Sequence, residues 1–134
     1  MGKYLERAEE LRAITERHYN CAQSVLVPFA KDAGLSEEDA YRIAANFGSG
    51  MKMGSVCGAV TGALMVLGLY GIEGQADVNA FCRKISGNHE GHLLCKDLLK
   101  LNAERGGEKK PHCDAMVYEA VKLVEEMLSA VNKV

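Results

Sequence analysis

The sequence GSVCGAVTGALMVLGL occupies residues 54–69 and is the most apolar part of the chain. No charged residue occurs in the longer stretch 56–72. An uncharged run of this length predicts a buried helix, with Ser55 as its N-cap. The run is shorter than the ~20 residues that a membrane-spanning helix needs, and it contains four glycines. We therefore predict a buried helix of a soluble protein with no membrane span.

Helical periodicity also dominates the rest of the chain, and no stretch alternates apolar and polar residues long enough to predict a strand. The clearest helix start is Ser36, because the sequence Ser-Glu-Glu-Asp puts an N-cap hydroxyl ahead of three carboxylates. The patterns predict helices at 3–18, 21–33, 36–47, 56–69, 77–86 and 91–101 and from 111 onwards. Whether the first two form one bent helix or two stays open. Residues 1–134 are expected to form an all-α, single-domain helical bundle of five to seven helical segments.

Composition argues against two classes of partner. The 134 residues include 16 lysines and arginines and 18 acidic residues, which gives a formal net charge of −2. This balance lacks the basic footprint of proteins that bind nucleic acid or an anionic membrane surface. The charged N-terminus lacks the apolar segment of a secretory signal, so a cytoplasmic location is expected. In that reducing compartment the five cysteines should be free thiols, metal ligands or redox partners.

Three cysteines are predicted at the starts of helices. Cys21 follows the N-cap residue Asn20, Cys57 follows Ser55 by two residues, and Cys113 follows Pro111 by two. Unpaired amides and the positive end of the helix dipole stabilise a thiolate there, and a thiolate is the form that attacks disulfides and binds metals. Cys95 and Cys113 also lie on apolar helix faces. The plainer alternative is that these cysteines only fill the core, as buried cysteines often do.

The cysteine spacing fits no standard metal motif, because the chain contains no C-x2-C. The one pattern at ligand spacing is His89-x2-His92-x2-Cys95, for which surface histidines are the simpler explanation. His112, beside Cys113, could serve as a ligand or a base. The glycine-rich turn at 48–54 is not a phosphate loop, since a helix and not a strand precedes it.

The motifs around the cysteines resemble those of one protein family. The chain has Tyr-Asn-Cys-Ala-Gln at 19–23, Gly-Ser-Val-Cys-Gly-Ala-Val-Thr-Gly-Ala at 54–63, and lone cysteines further on at 95 and 113. It is similar to the redox-active family of small bacterial and archaeal proteins with four spread cysteines and a C-G-A-x-x-G core, the C_GCAxxG_C_C family. The resemblance implies a helical protein whose functional cysteines are Cys21, Cys57, Cys95 and Cys113. Cys82 falls outside the pattern and is expected to fill the core or to resolve a disulfide.

Three hypotheses follow. In the first, Cys21, Cys57, Cys95 and Cys113 converge on an iron–sulfur cluster or other metal ion that transfers electrons to a redox partner, with Gly54, Gly58 and Gly62 close to the cofactor. In the second, the cysteines form a thiol–disulfide redox centre without metal. In the third, the chain is a helical interaction module with structural cysteines. The absence of C-x2-C and the four spread cysteines favour the first slightly over the second, and the glycine-lined helix could also serve a homodimer.

Overall fold

The computed structural model describes residues 2–134, and this part of the chain is all-α, as predicted. The single domain contains seven α-helices: α1 Lys3–Ala13, α2 Cys21–Ala30, α3 Glu37–Ile43, α4 Gly58–Leu69, α5 Gln75–Gly87, α6 Cys95–Glu104 and α7 Lys109–Ala130. Within the described residues the backbone forms no β-strand, only an isolated antiparallel bridge between Val56 and Leu94. None of the helices at residues 2–134 is long and apolar enough to cross a bilayer.

Helix α4 packs mainly against α2 and also contacts α7 and α5. It buries seven of its residues, Gly58, Ala59, Val60, Gly62, Ala63, Val66 and Leu67. The prediction of a buried helix in the apolar stretch is therefore confirmed. Helices α2 and α7 contribute larger side chains to the same core, among them Phe29 and Leu128. Small residues on α4 let these helices pack close to it, and burial of their apolar side chains stabilises the fold.

Two glycines of α4 set its distance from α2. A Cβ atom at Gly62 would lie 2.7 Å from the carbonyl oxygen of Ala22, and a Cβ atom at Gly58 would lie 3.2 Å from the Cβ of Cys21. Real Cβ atoms essentially never approach other atoms within 3.0 Å. Only glycine therefore allows the two backbones to pack at this distance.

Several helix boundaries differ from the prediction. Helix α1 ends at Ala13 and not at 18, because Ile14 is extended, so α1 and α2 are two helices. Helix α3 begins after the N-cap Ser36 as predicted, with the Ser36 side chain accepting from the amide of Asp39, but it ends at Ile43. Ser55 does not cap α4, since Cys57 itself is the N-cap residue.

The last two helices also begin elsewhere than predicted. Helix α6 starts at Cys95, four residues after the predicted start at 91, and α7 starts at Lys109, two residues before 111. Cys95 was thus predicted inside a helix, but it is the first residue of α6. Cys113 was predicted in the first turn of the last helix, but it is the fifth residue of α7.

Alanine substitutions on α4 test the close packing of α2 and α4. We expect Gly62→Ala to lower the free energy of unfolding by about 1–3 kcal/mol, because the new methyl group overlaps the backbone of Ala22. Gly68→Ala is the matched control, since a Cβ atom there meets nothing within 4 Å. That change should raise the free energy by about 0.5–1 kcal/mol through the helix propensity of alanine. Urea denaturation followed by circular dichroism measures both; equal effects would contradict the close contact.

Candidate functional site

One cavity of about 110 Å³ is lined by Cys21, Cys57, Cys95 and Cys113 together. These residues come from four different helices or their N-caps. Convergence of the four cysteines, expected from the resemblance, is thus what the fold produces. The volume is several times the ~10–15 Å³ that a single water needs by the same kind of measure. The cavity therefore has room for a group of several atoms.

A short backbone bridge brings Cys57 and Cys95 together. The amide of Cys57 donates to the carbonyl of Leu93 at 2.8 Å, and the amide of Cys95 donates to the carbonyl of Ser55 at 2.6 Å. Gly50 supports this bridge from the preceding turn. Its φ is +62°, and a Cβ atom there would lie 2.8 Å from the Cβ of Cys95. A side chain at Gly50 would therefore push Cys95 away from the cavity.

Cys21 is held at the first position of α2 by a capping box. The side chain of Asn20 accepts from the amide of Gln23 at 2.8 Å, and the side chain of Gln23 accepts from the amide of Asn20 at 2.8 Å. Gln23 is buried and also donates to the carbonyl of Tyr41 at 2.8 Å. These bonds fix the start of α2 against α3, so the Tyr-Asn-Cys-Ala-Gln motif acts by orienting Cys21.

Cys21 and Cys113 line the same cavity, and each shifts the pKa of the other in the opposite direction. A hydrogen bond from Cys21 is the largest effect that lowers the pKa of Cys113, to about 7, with Arg12 and Lys109 adding to it against the opposing effect of burial. The same hydrogen bond, together with burial, raises the pKa of Cys21. Near neutral pH Cys113 is therefore partly ionised, while Cys21 keeps its proton.

The other two cavity cysteines are protonated at neutral pH. Cys57 is only 6% exposed, and burial raises its pKa to about 11, although the amides of Ala59 and Val60 favour its thiolate. Burial also raises the pKa of Cys95, while Lys109 acts in the opposite direction. Charge on any one cavity cysteine is felt by the others, since Cys113 also raises the pKa values of both Cys57 and Cys95.

Of the other residues predicted at the site, some line the cavity and others do not. Gly58 and His112 line the cavity, and burial lowers the pKa of His112 so that its ring is neutral at pH 7. Gly54 lies against Lys96 and Gly62 against α2, both outside the lining. Cys82 is half-buried against the hydrophobic core on α5 and does not reach the cavity.

No metal-binding group of three or more His, Cys, Asp or Glu side chains occurs at residues 2–134. The candidate pattern His89-x2-His92-x2-Cys95 does not assemble as a site. His89 instead pairs with Glu119, with 2.7 Å between its Nε2 and the carboxylate, and only Cys95 of the three lines the cavity.

Sequence reasoning missed the cations of the site. Arg12 and Lys109 line the cavity beside the cysteines. Arg12 is nearly buried; its Nε donates to Asp114 at 2.6 Å, and its Nη1 donates to the carbonyl of Tyr19 at 2.9 Å. No local pattern marks Arg12, because its partner Asp114 is 102 residues away in the sequence.

Comparison with known families agrees with this site. A family model described as "Putative redox-active protein (C_GCAxxG_C_C)" matches residues 19–127. The chain belongs to this family. The match to C_GCAxxG_C_C includes all four cavity cysteines and extends into α7. Neither a search of curated proteins nor a search of solved structures gave a significant match.

The separated pKa values predict a pH-dependent difference in thiol reactivity. Alkylation of Cys113 should rise as the pH passes through about 7, because the reactive thiolate forms above the pKa. Cys21→Ala should move this midpoint upward, since it removes the hydrogen bond that lowers the pKa most. Alkylation with iodoacetamide, quantified for each cysteine peptide by mass spectrometry, measures the midpoint. Cys82→Ala is the control, and a midpoint that stays in place in Cys21→Ala would contradict the pairing.

Proposed function

We propose that this member of the redox-active family is a thiol–disulfide redox protein whose centre is the pair Cys21 and Cys113. The observation that carries the proposal is that Cys21 and Cys113 line one cavity together with the two other family cysteines, and their opposite pKa shifts support it. A thiolate beside a protonated thiol is the arrangement that a dithiol centre needs, because the thiolate attacks and the thiol resolves.

The proposed reaction is a two-electron oxidation of the Cys21–Cys113 dithiol. A disulfide partner accepts two electrons, the sulfurs of Cys21 and Cys113 form a bond, and the proton on Cys21 is released. Arg12 and Lys109 stabilise the reduced form, because they favour the thiolate on Cys113. Cys57 and Cys95 form the second pair, joined by the backbone bridge and protonated at neutral pH. Cycling of this kind suits a reducing compartment, so we assign the protein to the cytoplasm.

A second candidate is an iron–sulfur cluster or another metal centre in the same cavity. The chemistry of the four thiols fits such a group, since thiolates are the usual ligands of these clusters. The cavity of about 110 Å³ has room for a group of several atoms. Cys21, Cys57, Cys95 and Cys113 would hold the cluster, which would supply one-electron transfer.

Titration with thiol redox buffers tests the dithiol centre. We expect the wild-type protein to lose two hydrogen masses on oxidation and to give a cross-linked peptide pair containing Cys21 and Cys113. Cys113→Ser should abolish this cross-link, because it removes the attacking thiolate. Cys82→Ser is the matched control, since Cys82 lies outside the cavity and its loss should leave the cross-link and its midpoint potential unchanged.

Anaerobic purification with metal, sulfide and visible-absorption analysis separates the two candidates. The dithiol proposal predicts a colourless protein without stoichiometric iron or sulfide. Stoichiometric iron with sulfide-to-iron absorption bands would contradict it and establish the cluster. In that event Cys57→Ser should lose the bound iron and keep its helical circular dichroism, while Cys82→Ser should retain both.

A further inference from the structure

A second cavity, which we call the outer cleft, adjoins the cysteine cavity. It has a volume of about 360 Å³ and includes Leu11, Ile14 and Tyr19 in its walls. Arg12, His18, Lys109 and Cys113 line both spaces. Cys113 is therefore the point at which the outer cleft meets the redox centre.

The outer cleft is electropositive. Arg12, Lys109 and Lys110 line it, and no aspartate or glutamate of the described chain lines either cavity. Asp114 pairs with Arg12 and Lys110 but does not line the cleft. Lys109 has no ion-pair partner among residues 2–134. The excess of positive charge is local, because the whole chain carries a formal charge of −2.

The size and walls of the outer cleft suit a small molecule. Its volume lies within the ~300–1,000 Å³ typical of small-molecule sites. Leu11, Ile14 and Tyr19 give it an apolar wall, while the cations gather where it meets Cys113. An occupant that matches both features has a carbon body and an anionic group near its reactive atom.

We propose that the outer cleft binds a low-molecular-weight disulfide bearing carboxylates, and that this class of molecule is the oxidant of the Cys21–Cys113 pair. The proposal rests on the dithiol function proposed above. The sulfur of Cys113 attacks one sulfur of the bound disulfide, the disulfide bond breaks, and the first small thiolate leaves. The sulfur of Cys21 then attacks Cys113, the mixed disulfide breaks, and the second small thiol leaves with the proton from Cys21. Two electrons pass from the protein to the small disulfide.

The cations contribute at two stages. They attract the anionic disulfide to the cleft, and they stabilise the negative charge that develops on the leaving thiolate. A neutral disulfide of similar size gains only the second effect. The ratio of the rates for an anionic and a neutral disulfide thus isolates recognition of the anion from the reactivity of Cys113.

The test compares two chromogenic disulfides, the dianionic dithiobis(nitrobenzoate) and the neutral dithiodipyridine, at low ionic strength. The variants are the double substitution Lys109→Gln with Lys110→Gln and, as a control of equal charge, Lys84→Gln with Lys122→Gln, both exposed and away from the cleft. We expect the cleft variant to lower the anionic-to-neutral rate ratio by about tenfold and the control to leave it unchanged. Added salt should lower the ratio in the wild type and have little effect in the cleft variant.

Two outcomes would overturn the proposal, and they are distinguishable. If both reagents oxidise Cys21 and Cys113 to a disulfide but the cleft and control variants keep the wild-type ratio, the dithiol function stands and anion recognition by the cleft is wrong. If neither reagent yields the cross-linked pair in the Cys82→Ser protein, the dithiol function itself fails and the substrate assignment fails with it.

Discussion

The close approach of α2 and α4 is the constraint on which the site depends. Gly58 faces the backbone of Ala22 and the Cβ of Cys21, and Gly62 faces the carbonyl of Ala22 one turn further along. A Cβ atom at Gly62 would overlap the backbone of α2, and one at Gly58 would press on the carbonyl oxygen of Phe47 and on Cys21. The C-G-A-x-x-G core thus contains a cavity cysteine, Cys57, and the two glycines that pack against α2 near Cys21. Packing and chemistry are specified by the same few positions.

Charge at the cavity is organised by pieces of the chain that are distant in sequence. Cys21 and Cys95 occupy first helical positions, where unpaired amides favour negative charge, but burial opposes ionisation. The hydrogen bond to Cys113 and then burial raise the pKa of Cys21, and burial raises the pKa of Cys95. Cys113 lies beyond the first turn of its helix, yet its pKa falls because Cys21 donates to it and Arg12 and Lys109 lie nearby. Helix position alone is therefore a poor guide to which thiol is reactive.

Features that depend on neighbouring residues could be predicted from the sequence, whereas features that depend on contacts between distant segments could not. Local signals identified the buried α4, the N-cap Ser36 and the N-cap Asn20, because each depends on neighbouring residues. The start of α6 could not be found in this way, since its N-cap is Leu94 and its position is set by a backbone bond to Ser55. The cations were missed for a similar reason, because α1 and α7 meet at the cavity only in the folded chain. Predicted helix starts singled out Cys21, Cys57 and Cys113, and the family resemblance added Cys95 to them.

The distribution of the cysteines also has a consequence for the order in which the site is assembled during synthesis. Cys21, Cys57, Cys95 and Cys113 leave the ribosome in that order, and domains form from the N-terminus onwards. Helices α2 and α4 have their shared contact available early, but α7 supplies both Cys113 and Lys109 and is made last. A nascent chain that lacks α7 holds three of the four cavity cysteines but neither Cys113 nor Lys109. The cavity lined by the four cysteines is therefore assembled only after α7 has been made.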